Sequence, residues 1–450
     1  VKTIDRAHLT SLMEREQRLF REEHPRSLEI FERARSSLLG GVPMNWMSRW
    51  AGEFPIFVAE ASGARFSDVD GREYVDLCLG DTGAMTGHSP PAAAAAIGAQ
   101  AARGITLMLP TEDSVWVGEE MARRFGLPYW QFTLSATDAN RFVIRLARHI
   151  TGRSKVLVYN GCYHGSADET VIGFEDGAVI PRRGSVGPPV DPRLTTRVVE
   201  FNDLPALEAA LAEGDVACVL AEPVMTNIGI IFPGPGYHDA LRRMTRDTGT
   251  LLVIDETHTF CTGPGGYTAE YGLEPDVITI GKPIGSGVPS GAYGVSEEVA
   301  ERISSSVSRR DADVGGVGGT LAGNALSLAA IKATLSEVLT DEAFVRMIAL
   351  GERFEEGVRN VITDHGMPWH VHRLGCRVEY RFQADPPRNG GEAEVSEDPL
   401  LDEYMHLLCL NRGILLTPFH NMALMSPSTT AADVDRHTEV FADAIAELLD

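Results

Sequence analysis

The stretch TLLVIDETHTFCTGPGGYTAEYGLEPDVITIGKPIGSGVPSGAYG, residues 250–294, decides the fold. It holds two short apolar runs, LLVI and VITI, and each ends in a residue capable of chemistry. Asp255-Glu256 follow the first run and Lys282 follows the second. Short apolar runs bounded by glycine and proline read as strands buried on both faces, the pattern of a parallel sheet. Working outward, YWQFTL (129–134), SKVLVYN (154–160), VACVLAEP (216–223) and SGAYGVS (290–296) repeat the pattern. Amphipathic helical patterns at 139–151 and 237–249 lie between them. This alternation predicts an α/β domain with a mainly parallel sheet covered on both faces.

The flanks read differently. Residues 4–23 and 27–38 have helical periodicity, and strand-like stretches with an Asp70-Gly71 hairpin turn follow. After residue 330 come two long helical patterns, a strand RVEYRFQ and a last helix. The expected division is 1–84 (N-terminal segment and part of a small α+β domain), 85–330 (the large α/β domain) and 331–450 (the rest of the small domain). Residues 383–398, rich in Pro, Gly and acid, read as a surface loop.

The 450 residues carry 63 acidic and 40 basic side chains, a net charge of -23. Such a surface repels phosphate backbones, so a nucleic-acid partner is not expected. Cys78, Cys162, Cys218, Cys261, Cys376 and Cys409 are scattered singly without a CxxC pair, and no metal site is indicated. No apolar run approaches the ~20 residues needed to span a bilayer, and residues 1–25 are charged throughout. A cytoplasmic enzyme without membrane attachment is expected.

Ligands of open α/β sheets bind beyond the carboxyl ends of the strands. An acid or a lysine alone at a strand tip is an ordinary solvated chain end. Asp255 and Lys282 on two strands of one parallel sheet face the same crevice. Pyridoxal 5'-phosphate (PLP) needs such a pair. A lysine amine holds its aldehyde, and a carboxylate keeps its pyridine nitrogen protonated so that the ring accepts electrons. Its phosphate needs backbone N–H donors at a helix start, which Ser135, Ala136 and Thr137 offer, although Ser or Thr there is more often only a cap.

The motifs now resemble a known family. TIGKPIGSGVPSGAYG (279–294) is similar to the lysine motif of the class III, fold-type I PLP-dependent aminotransferases, close to the glutamate-1-semialdehyde aminomutase branch. SATDAN (135–140), YNGCYHG (159–165), AEPVMTNIG (221–229), VIDETHTF (253–260) and GGTLAGN (318–324) follow the family's order over roughly residues 28–445. The resemblance implies a fold-type I transferase with a mainly parallel seven-stranded sheet. It implies that Lys282 holds the cofactor and shuttles protons, that Asp255 pairs with the pyridine nitrogen, and that Tyr163 stacks on the ring. It gives Ser135, Ala136 and Thr137 to the phosphate, Glu222 and Asn227 to the ring's hydroxyl edge, and Thr320 to the phosphate of a neighbouring subunit in a homodimer with shared sites. His164 is expected to shape its loop. His258 stands where many relatives carry Met or Gln, and is expected to tune the region above the ring.

The substrate flank departs from the aminomutase pattern. In GGVPMNWMSRWAG (40–52), Met47 falls near the position of the aminomutase's carboxylate-gripping arginine, and Arg49 is displaced by two. In LTPFHNMALMSP (416–427), Met422 falls near a position that is acidic there. Trp46, Met47, Trp50, Phe419 and Met422 are either an apolar substrate pocket or small-domain core, with Arg49 left to hold a carboxylate. The expected function is therefore an aminotransferase moving an amino group from a primary amine or amino acid, of aryl or β-amino type, to a keto acid. The alternative is an isomerase, either an aminomutase or an amino-acid racemase.

Overall fold

The computed structural model describes residues 4–186, 191–306, 314–418 and 420–450. The chain divides into two compact units: Pro91–Asp341 with Pro387–Val395, and Val1–Pro90 with Glu342–Pro386 and Ser396–Asp450. Their divisions fall at 90/91 and 341/342, beyond the 84/85 and 330/331 expected.

The larger unit is built on seven strands: β1 (Tyr129–Thr133), β2 (Lys155–Tyr159), β3 (Thr196–Val199), β4 (Val216–Ala221), β5 (Leu251–Asp255), β6 (Val277–Ile280) and β7 (Gly291–Val295). They lie in the order β1-β7-β6-β5-β4-β2-β3. From β6 to β3 all pairs are parallel, and β7 runs antiparallel to both its neighbours. Every residue of β4, β5 and β6 is buried, which is why these segments lack apolar–polar alternation.

Successive side chains of a strand face opposite ways, and the core divides accordingly. Val156, Val158, Val253 and Val277 pack with Val143, Ile144 and Ala147 of helix α1 (Ala136–Thr151) on one face. Leu157, Tyr159, Leu252 and Ile254 pack with Leu207, Leu211 and Leu241 on the other. Burying a Val, Leu or Ile side chain contributes about 1.5–3 kcal/mol, so this double layer fixes the positions of the strand ends.

In the smaller unit, Val58–Ser62, Arg65–Asp68 and Glu73–Asp76 form an antiparallel sheet, joined in parallel by Ile414–Leu415. Segments from the two ends of the chain therefore share one sheet. A second sheet pairs His370–Leu374, Arg377–Arg381 and Met422–Leu424. The helix Ala431–Leu449 packs His437 and Phe441 near Tyr380.

The expected loop at 383–398 is not simply a loop. Pro387–Val395 joins the larger unit, and Gly390–Glu394 is a short helix. Glu200 accepts the Gly390 and Gly391 N–H groups at 3.0 and 3.3 Å, and an added Cβ on Gly390 would lie 2.3 Å from the Asn160 carbonyl oxygen.

Candidate active site at the carboxyl ends of β5 and β6

In the parallel ladder Asp255 lies opposite Thr279, so Lys282 leaves β6 at the same sheet end. Asp255 is buried, 4% exposed. One carboxylate oxygen accepts from His164 Nδ1 at 2.9 Å and from Asn140 Nδ2 at 3.0 Å, and the other accepts the Thr257 N–H at 3.0 Å. Burial by itself would raise the carboxyl pKa, but the hydrogen bond and charge of His164 outweigh it and hold Asp255 at about 2. Burial likewise works against protonated His164, yet Asp255, helped by Cys162, raises its pKa to about 10. The two form a buried hydrogen-bonded pair in which His164 favours the ionised form of Asp255, a contact beyond its own loop.

Sequence reading passed over Asn140. Fully buried on α1, it donates to Asp255 and to the His164 carbonyl, and accepts from the Thr279 hydroxyl at 2.6 Å. It therefore ties the helix to β5 and β6. The available signal was an asparagine on the apolar face of an amphipathic helix, because a buried amide needs partners.

Lys282 is half-buried, and its backbone is left-handed, with φ +49°. That conformation disfavours any side-chain-bearing residue and collects at functional positions. Its Nζ lies 2.8 Å from His258 Nε2.

Helix α1 begins beside these strand ends. The Ser135 hydroxyl caps the Asp138 N–H at 3.2 Å, which leaves the Ala136 and Thr137 N–H groups to an anion at the positive end of the helix. Loops crowd this start so closely that side chains do not fit. A Cβ on Gly281 would lie 2.7 Å from the Ala136 nitrogen, and one on Gly165 would lie 2.0 Å from the Thr137 hydroxyl oxygen. These approaches bring the lysine loop and the tyrosine loop onto the helix start.

Glu222, just past β4, is 5% exposed and accepts from the Thr226 hydroxyl and N–H. Burial raises its pKa against the pull of Thr226, with His164 and Asp255 near enough to act on it. Asn227 donates to the Gly161 carbonyl at 2.9 Å, tying its loop to the one that carries half-buried Tyr163. Thr320 is exposed in a groove of about 340 Å³ lined by Met108, Leu109, Gln131 and Phe132 among others.

Among the described residues, the proposed apolar pocket is not assembled. Met422 is fully buried, paired in register with Glu379 and accepting from the Thr417 hydroxyl, so it is core of the smaller unit. Trp46 and Met47 are each 41% exposed. Arg49 and Trp50 line a separate cleft of about 270 Å³ with Glu53, Asp402, Glu403 and His406. Phe419 lies outside the described residues. No helix among those described is long and apolar enough to cross a membrane.

These residues fit PLP on three counts: an amine at Lys282, a buried carboxylate that His164 favours in its ionised form, and the first-turn N–H groups of a helix start packed too tightly for side chains. The family model for aminotransferase class-III matches residues 46–445. Glutamate-1-semialdehyde 2,1-aminomutase of Desulfitobacterium hafniense is 34% identical over 433 residues, which span 94% of this chain and 98% of that protein. The crystal structure of a glutamate-1-semialdehyde-aminomutase from Pseudomonas aeruginosa PAO1 superposes with a TM-score of 0.97 at 52% identity, covering 99% of this chain and 100% of that one. A lysine-to-alanine variant of that protein is in complex with PMP. A β-phenylalanine aminotransferase from Variovorax paradoxus superposes with a TM-score of 0.87 at 27% identity, covering 97% of each chain. The fold, the cofactor demands met at the strand ends and these likenesses agree: the chain belongs to the class III aminotransferase family of fold-type I PLP enzymes, close to its glutamate-1-semialdehyde aminomutase branch.

Proposed function

We propose that this enzyme is an aminomutase-type isomerase, which moves an amino group between neighbouring carbons of one small amino-carbonyl substrate. The observation that carries this reading is the likeness to the Pseudomonas aeruginosa aminomutase over 99% of the chain at 52% identity. PLP supplies a ring that takes up electrons from the reacting carbon. Lys282 would hold the cofactor, and its amine would take and return the proton at the reacting carbon as base and acid. Asp255, kept ionised by His164, faces the ring nitrogen. Ala136 and Thr137 bind the phosphate after the Ser135 cap, Tyr163 covers the ring face, and Glu222 and Asn227 stand at its hydroxyl edge.

Thr320 serves the site of a second copy. Ile105, Leu107, Met108, Leu109 and Leu321 are 44–74% exposed, an apolar surface suited to burial in a homodimer.

A second reading, an aminotransferase passing nitrogen from an amine or amino acid to a keto acid, is favoured by Met47 and the displaced Arg49. It also draws on the likeness to the β-phenylalanine aminotransferase. One experiment separates the two. Purified holoenzyme is mixed with single candidate substrates and no amino acceptor, and both product and cofactor absorbance are followed. Many turnovers of one substrate, with the absorbance returning to its start, establish the isomerase. A single stoichiometric turnover that bleaches the cofactor, reversed by pyruvate, establishes the aminotransferase instead.

A further inference from the structure

We propose that His258 is an acid–base partner of Lys282: its neutral Nε2 accepts the hydrogen bond of the ammonium that Lys282 becomes when it takes a proton. The inference rests on Lys282 being the cofactor lysine, and it assigns a role to a residue that stands where many relatives carry Met or Gln.

The turn after β5 holds His258 in place. Glu256 is fully buried, its N–H donates to the Thr279 carbonyl at 2.8 Å, and its carboxylate accepts the Tyr267 and Thr268 N–H groups at 3.1 and 2.6 Å and the Thr259 hydroxyl. The next turn but one, at Gly266, presses on that carboxylate so closely that a Cβ would lie 2.5 Å from Oε2. The fixed turn presents the imidazole at 2.8 Å from Nζ. The titratable groups on the two strand ends are Asp255, Glu256, His258 and Lys282. Asp255 is committed to His164 and Asn140, and Glu256 to its own turn.

An ammonium has donors and no acceptor, so a 2.8 Å contact with Nε2 requires the imidazole lone pair to face it. When Lys282 takes a proton from a substrate carbon, its nitrogen gains a third N–H and a positive charge. Neutral His258 stabilises that charge by hydrogen bonding. The same proton then leaves Nζ for the second carbon, so atoms and charge balance with no other reactant. Protonated His258 would place like charge beside Nζ and oppose the step.

The test begins with cofactor-free protein. Lys282 is labelled by an amine-reactive anhydride across pH, and its peptide is quantified by mass spectrometry. His258→Met removes the acceptor, and His258→Gln keeps an oxygen acceptor that does not titrate. The labelling midpoint should fall by about one pH unit in His258→Met, as loss of a bond to the charged form dictates, and return in His258→Gln. In holoenzyme, the acid limb of turnover seen in the parent should be missing from His258→Gln. An unchanged midpoint in His258→Met, or a fall that glutamine does not restore, would overturn the role. Borohydride fixation of the cofactor, followed by peptide mapping, reports separately whether Lys282 carries it.

Discussion

Asp255→Asn probes the site where its electrostatics are most constrained. Asparagine keeps the shape and an oxygen for His164 and Asn140 but removes the charge. In the cofactor-free protein the carboxylate lifts buried His164 from 6.5 to about 10. The sign follows from linkage. Raised His164 contributes stability that is complete below its unfolded value near 6.5 and is lost as pH climbs towards about 10. Depressed Asp255 contributes above its unfolded value of 3.8 and loses that contribution as pH falls towards about 2.

With asparagine in place, His164 is a buried imidazole without a counter-charge. It loses its proton, and the decline in stability between pH 6.5 and about 10 disappears. Breaking a buried pair by removing one partner costs about 3–5 kcal/mol, so stability near pH 6.5 should fall by that order. If Asp255 pairs with the ring nitrogen as proposed, losing that charge-assisted hydrogen bond, worth about 1.5–3 kcal/mol, would weaken cofactor retention by about 10- to 150-fold. Urea unfolding of cofactor-free protein from pH 5 to 9, with PLP titration by absorbance, reads both effects. A parental pH slope above 6.5 together with parental PLP affinity in the variant would refute the reasoning.

Three further outcomes are expected. Gly281→Ala drives a methyl to 2.7 Å from the Ala136 nitrogen; PLP titration should show weakened binding, and melting should show a loss of about 1–3 kcal/mol from overpacking. His437, fully buried with neither ring nitrogen hydrogen-bonded among the described residues and its pKa pushed down by burial to about 3, contributes a stability that is lost as pH falls from 6.5 towards that value. His437→Leu should gain about 1–3 kcal/mol at pH 7 and lose part of the acid sensitivity, read by melts between pH 4 and 7. The double substitution Met108→Glu and Leu109→Glu places charges on residues 74% and 73% exposed. Sedimentation should show a shift from dimer to monomer.

The candidate site was legible where burial is extreme. Strands β4, β5 and β6 are covered on both faces, so their sequences are unbroken apolar runs, and the residues ending them stand out. The short strand β3 was not picked out, since four residues at a sheet edge give little pattern. Gly390–Glu394 hid in a polar stretch because Glu200, distant in sequence, holds its N–H groups. Met422 resembled a substrate contact by position alone; a three-residue strand whose pairing with Arg377–Arg381 spans a long sequence gap leaves no local signal of core placement. Asn140 and His164 act through a partner on another strand, and spacing along the chain does not reveal which buried polar groups meet.

The left-handed backbone at Lys282 bears on how this enzyme is best captured with its ligands. Holding a side-chain-bearing residue at φ +49° costs about 1–2 kcal/mol that glycine escapes. A crystallographer choosing a lysine-free form to hold bound molecules is better served by Lys282→Gly than by Lys282→Ala, because alanine keeps the strain and discards the amine. The same asymmetry makes the position vulnerable to decay in a lineage that no longer needs turnover. The replacement that relaxes the backbone would also remove the amine that the proposed reaction needs, so the two demands at this position oppose each other.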